Sequence, residues 1–87
     1  MKTVVIGESS GATMDMIMAV YPRHKALVDE FMDRGEVIGI GPLDGGGNLA
    51  IFRTREAADE FARTDPFLLE GLIVRYDVTE WGDALLR

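Results

Sequence analysis

Cysteine is absent from this chain, and histidine occurs once, as His24. Without cysteine no disulfide can staple the fold, and thiol nucleophiles and thiolate ligands are excluded; the same absence suits a reducing, cytoplasmic setting. A single histidine leaves no His/Cys set for a transition metal, and no dense Asp/Glu set at ligand spacing takes its place. No metal and no cofactor are therefore expected. Cations are also scarce, with 9 Lys and Arg against 15 Asp and Glu and a net charge of −6. A nucleic-acid partner is not expected, because phosphate neutralisation needs a concentrated basic face. No apolar run approaches the length of a membrane span, and the opening residues lack a signal segment's charged-then-apolar pattern, so no membrane partner is expected.

What is present reads as an ordinary globular domain. Its 87 residues, 47% of them hydrophobic, form one domain over residues 1–87 with a single small core. A core of this size is marginal by itself, and burying surface against a second copy is one remedy, so a homodimer is expected.

KTVVIG near the start is short, β-branched and closed by glycine, which predicts a strand. SSGATMDMIMAV is ambiguous, since Met14, Ile17, Met18 and Tyr21 keep helical spacing while Met14, Met16, Met18 and Val20 alternate. A loop leading to a short helix capped by Thr13 is the preferred reading. Pro22 suits the first turn of a helix. Leu27, Val28, Phe31 and Met32 then mark an amphipathic helix ending at Gly35, with Lys25, Asp29, Glu30 and Arg34 on its wet face. EVIGIGPL and NLAIFR predict a hairpin across the turn DGGG. Thr54 caps a helix with Ala57, Ala58, Phe61 and Ala62 on one face. DPFLLEG is a turn or a single helical turn stopped by Gly71, LIVRYDVTEW a last strand, and GDALLR a tail. This order predicts an α+β, ferredoxin-like βαββαβ protomer, with two helices on one face of an antiparallel sheet. Its other face would be bare in a monomer, with Tyr76 or Trp81 pointing there.

Three glycine- or methionine-rich stretches carry weak signals. GESSG over residues 7–11 matches G-x-S-x-G after a strand, but the hydrolase architecture behind that motif needs far more chain. A flexible turn explains Ser9 better. GIGPLDGGG lacks the third glycine of a dinucleotide fingerprint and opens no helix. Gly39 and Gly41 alternate with Ile38 and Ile40, leaving one bare strip that admits a packed helix, the favoured reading, or a ligand. Met14, Met16 and Met18 read as adaptable packing rather than a soft-metal site.

His24 lies three and four residues before Leu27 and Val28, so it faces inward. Asp65 stands four residues after Phe61 and extends the apolar face of the second helix, at the end where a negative charge meets the unfavourable pole of the dipole. Asp before Pro is also a standard N-cap, with Pro66 at the first position of the following turn. If the two side chains meet, the carboxylate fixes the imidazole tautomer and favours its cation, which suits general acid/base work. Spacing leaves that contact, and the bland reading of two satisfied buried groups, open.

The stretches YPRHKALVDEFMDRGEVIGIGPL, DGGGNLAIF and REAADEFARTDPFLLEGLIVRYDVTEW together resemble the YCII-like family. The likeness runs over residues 2–82 and rests on an early helical histidine, a Gly-Pro after the second strand, an Asp-Pro-Phe after the second helix and a closing tryptophan, here His24, Gly41-Pro42, Asp65-Pro66-Phe67 and Trp81. The resemblance implies a dimeric α+β barrel, paired through the sheet, with His24 and Asp65 as the site in a cleft beside the Gly-Pro turn. Relatives include muconolactone isomerase-like folds and a dehydrochlorinase acting on a chlorinated hydroxyquinol. Many relatives carry arginine three residues before the histidine; this chain has Tyr21 there, with Arg23 adjacent to His24, and its hairpin is short.

The expected function is cofactor-free proton transfer on a small organic molecule, an isomerisation or an elimination of the dehydrochlorinase type. His24 would be the general base or acid and Asp65 would orient it. Gly41, Pro42 and Pro66 would wall the pocket, and Tyr21 and Phe67 would cover an apolar substrate. The alternatives are a non-catalytic ligand-binding or accessory dimer and a purely structural His–Asp contact.

Overall fold

The structure, a computed structural model, describes residues 1–85; Leu86 and Arg87, the end of the GDALLR tail, lie outside the described residues. Chain order is β1 (Lys2–Ser9), α1 (Met14–Asp33), β2 (Val37–Pro42), β3 (Asn48–Phe52), α2 (Arg55–Thr64), α3 (Pro66–Leu69) and β4 (Ile73–Trp81). The strands form one antiparallel sheet in the order β2-β3-β1-β4. Its central strands are thus the first and third, and the helices pack on one face, as the ferredoxin-like reading requires.

Strand register decides which side chains meet the helices. Val5 pairs with Ala50 and Thr3 with Phe52, and these four residues are buried. Above them Phe31 of α1 and Phe61 of α2 close on Phe52, all three with no exposed surface. Phe31 meets Phe52 and Phe61 edge-on, at ring separations of 6.0 and 5.6 Å, the arrangement that aromatic quadrupoles favour.

The short helix expected after Thr13 and the helix expected from Pro22 are one continuous helix, α1. Thr13 Oγ1 accepts the Met16 N–H at 3.2 Å, Asp15 sits in the first turn, and the helix then runs unbroken for 20 residues. Pro22 is therefore inside the helix, not at its start, while the Thr13 cap and the loop before it are as expected. The Thr13 cap, the helix-forming methionines and buried Val20 and His24 outweigh one proline, which leaves the Met18 carbonyl without its usual N–H donor. Gly35, with φ at 72°, ends the helix as expected, and Glu36 N–H returns to the Phe31 carbonyl. Met32, read as part of the inner stripe, is half exposed.

The far face of the sheet carries Val4, Ile6, Leu49 and Ile51 along β1 and β3. Gly39 and Gly41 pair with Ile51 and Leu49 and share that face, and a Cβ on either would meet nothing within 4 Å. No helix packs on the bare strip, which corrects the favoured reading of those glycines. Tyr76 is a second correction, because it turns toward the helices and packs against the core with Val78. Trp81, paired with Lys2, stays on the far face.

Replacing Pro22 with alanine restores the missing donor within an already formed helix. Pro22→Ala should raise unfolding stability by about 1–3 kcal/mol in chemical denaturation, the range a proline inside a helix costs. A loss of stability would show that Pro22 is accommodated by something other than α1 itself.

Candidate active site

Four elements converge on Asp65: α2 and α3, which it joins, α1 and β4. The residue ends α2 and caps α3: its Oδ1 accepts the Phe67 N–H at 3.1 Å, and its extended backbone turns the chain so that Pro66 starts the next helical turn. The capping role and the inward position expected of Asp65 thus hold together. It has no exposed surface. His24, one face of its ring turned in from α1, places Nδ1 at 2.8 Å from Oδ1, and Tyr76 of β4 donates its hydroxyl to Oδ2.

These contacts fix the direction of every proton in the cluster. Burial and the adjacent Asp65 charge hold the Tyr76 phenol far above the usual tyrosine range, so it stays protonated and donates. Its single hydrogen goes to Asp65, so Asn48 at the start of β3 must offer its amide N–H to the Tyr76 oxygen, at 3.3 Å. On the other side the carboxylate only accepts, so His24 carries its proton on Nδ1 and leaves Nε2 with a lone pair when neutral. Phe67, fixed by the Asp65 cap, stacks on the imidazole at 4.1 Å and 15°.

His24 Nε2 has no hydrogen-bond partner among the described residues, and His24 borders a cavity of about 500 Å³ between α1 and the β2–β3 hairpin. Tyr21, Gly41, Pro42 and Phe67 line that cavity as well, whereas Pro66 does not; it serves as the first residue of α3. Tyr21 stands 6.1 Å from His24, ring to ring. Met14, Ile17 and Met18 from the early turns of α1, and Ile40 from β2, add apolar wall. Ser9 lies at the rim, its hydroxyl accepting the Gly11 N–H at 3.0 Å, the turn expected of it rather than a nucleophile beside a base.

Sequence reasoning missed Asn48 and misplaced Tyr76. The signal for Tyr76 was present, since it alternates in phase with Val78 on the apolar side of β4, which is the side that seeks the core. Nothing local marks Asn48. Gly7 is the third unrecognised member: it pairs with both residues across β1, and any side chain there would collide with the Asn48 amide and the Tyr76 ring. Gly7→Ala should therefore lower stability by about 1–3 kcal/mol, the usual penalty of overpacking, and shift the His24 ring signals in NMR spectra. Wild-type stability with unmoved His24 signals would show that the cluster does not depend on this gap.

No protein-family model matches the sequence, and no curated protein matches it. Among solved structures the chain is similar to 5-chloro-2-hydroxyhydroquinone dehydrochlorinase (TftG) from Burkholderia phenoliruptrix AC1100, in its complex with 2,5-dihydroxybenzoquinone. The match has a TM-score of 0.77 at 18% identity and covers 93% of each chain, a likeness of fold.

Proposed function

We propose that this chain is a YCII-like protein that performs cofactor-independent proton transfer on a small organic molecule, by isomerisation or elimination. The observation that carries the reading is the His24–Asp65 contact: a 2.8 Å hydrogen bond to a fully buried carboxylate, with the opposite ring nitrogen left free beside an apolar cavity. In this arrangement Nε2 takes a proton from the substrate, the ring becomes a cation, and Asp65 stabilises that cation across Nδ1. The same nitrogen then returns the proton to another atom of the substrate or to a leaving group. Tyr21, Gly41, Pro42 and Phe67 border the space the substrate would fill, and Pro66 acts through the turn that presents Phe67. A cavity of about 500 Å³ suits a molecule of one or two rings. The fold shared with a dehydrochlorinase is consistent with elimination chemistry.

The ring nitrogens provide the test. Free histidine favours the tautomer protonated on Nε2, so ¹⁵N spectra of neutral His24 should show the unusual Nδ1–H form in wild type and lose it in Asp65→Ala. Observation of the Nε2–H form in wild type would sink the dyad. A screen of lactones and halogenated phenols should give turnover in wild type and none in His24→Ala; binding without turnover in both would favour an accessory, non-catalytic role.

The chain is further proposed to pair through the far face of its sheet. Val4, Leu49 and Ile51 there are only partly covered and Ile6 is exposed, an apolar strip that a second copy would bury. Sedimentation should give a dimer for wild type and a monomer for Ile51→Lys; a wild-type monomer at micromolar concentration overturns the pairing.

A further inference from the structure

We infer that the cavity beside His24 selects uncharged, largely apolar ligands that offer one hydroxyl or acidic C–H to Nε2, and disfavours carboxylates, phosphates and amines. The inference names the ligand class for the proton-transfer reading and rests on it only for what Nε2 does there.

The cavity lacks free counter-charges among the described residues. The cavity wall contains two ionic side chains among the described residues, Lys25 and Asp29, and they neutralise each other at 2.9 Å on the wet side of α1. Arg23, next to His24 in the chain, is engaged by Glu70 of the following turn at 3.3 Å. An entering carboxylate or phosphate would lose water and find no free cation to replace it. It would also approach the buried Asp65 and a chain of net charge −6. An ammonium is equally unmatched, since Asp29 is held by Lys25, and Asp65 is sealed from the cavity with three donors already on it.

The rest of the wall favours apolar surface. Met14, Met18 and Met32 are about half exposed or more and border the cavity, and their flexible thioethers can mould to ligands of different outline. Phe67 occupies one face of the imidazole. A ligand therefore meets His24 at its edge, where Nε2 accepts a single hydrogen bond in the ring plane.

Matched probes separate these cases. Full-length protein with ¹³C-methyl methionine is titrated with p-cresol, p-toluate, phenyl phosphate and benzylamine at neutral pH and physiological salt. p-Cresol should shift the Met14, Met18 and Met32 methyl signals and bind about tenfold or more tightly than each charged probe. Met18→Arg adds a cation at an exposed position of the wall and should strengthen p-toluate binding about tenfold relative to p-cresol. Equal binding of any charged probe to wild type, no gain for p-toluate in Met18→Arg, or no probe moving the methyls would overturn the inference. His24→Ala should keep the ranking of the probes, because the wall does the selecting. A correct ranking with the wrong His24 tautomer would sink the proton-transfer reading and leave the ligand class standing.

Discussion

A carboxylate with no exposed surface is the constraint on which this fold's interior depends. An ion removed from water without partners costs several kcal/mol, so Asp65 has to find its hydrogen bonds within the protein. It finds three, and each comes from a different element: the His24 imidazole from α1, the Phe67 amide from α3 and the Tyr76 hydroxyl from β4. The first helix, the short third helix and the edge strand are thereby referred to one point. The aromatic cluster of Phe31, Phe52 and Phe61 supplies most of the burial, but it is non-directional and would tolerate small rotations of α1. The Asp65 contacts are directional, because each hydrogen bond weakens steeply as its donor turns away from the carboxylate.

That geometry also separates the sealed half of the His24–Asp65 pair from the half that meets the cavity. Asp65 uses both oxygens on protein donors and has no access to the cavity, so the member of the pair that borders the cavity is His24. Tyr76 and Asn48 stand behind it in turn, one donating to the next, and the missing side chain of Gly7 leaves them room. The tripeptide Asp65-Pro66-Phe67 works as a unit in the same scheme. Asp65 caps the turn, Pro66 starts it with φ already set, and the capped amide belongs to the ring that lies flat against His24.

Much of this was legible in the sequence because it depends on local rules. Thr13, Thr54, Gly35 and the DGGG turn mark the positions that capping chemistry and positive φ require, and the strand–helix order followed from them. His24 and Asp65 were found inward-facing by helical spacing alone; their contact needed the resemblance to a family as a bridge. Pro22 misled because its missing N–H is as compatible with a helix start as with an interior that other residues hold together. Asn48 was invisible because its partner is 28 residues away on a strand that does not adjoin its own. Gly39 and Gly41 showed a bare strip, but a period of two gives two faces and does not say which one the helices cover.

The two sides of β2 bring the cavity and the sheet face into one problem. Ile40 points to the cavity side, while Gly39 and Gly41 open the far face next to Leu49 and Ile51. Gly41 and Pro42 border both spaces. This strand is also the sheet's edge, paired on one side only, and it joins β3 through a turn of three glycines with positive φ. Glycine-rich backbone with no side chain behind it has little stiffness of its own. Gly41 and Pro42 therefore wall the cavity with backbone whose other side is the open far face. The space in front of His24 is thus bounded on one side by a histidine that Asp65 holds from within, and on the other by strand backbone with no side chain behind it.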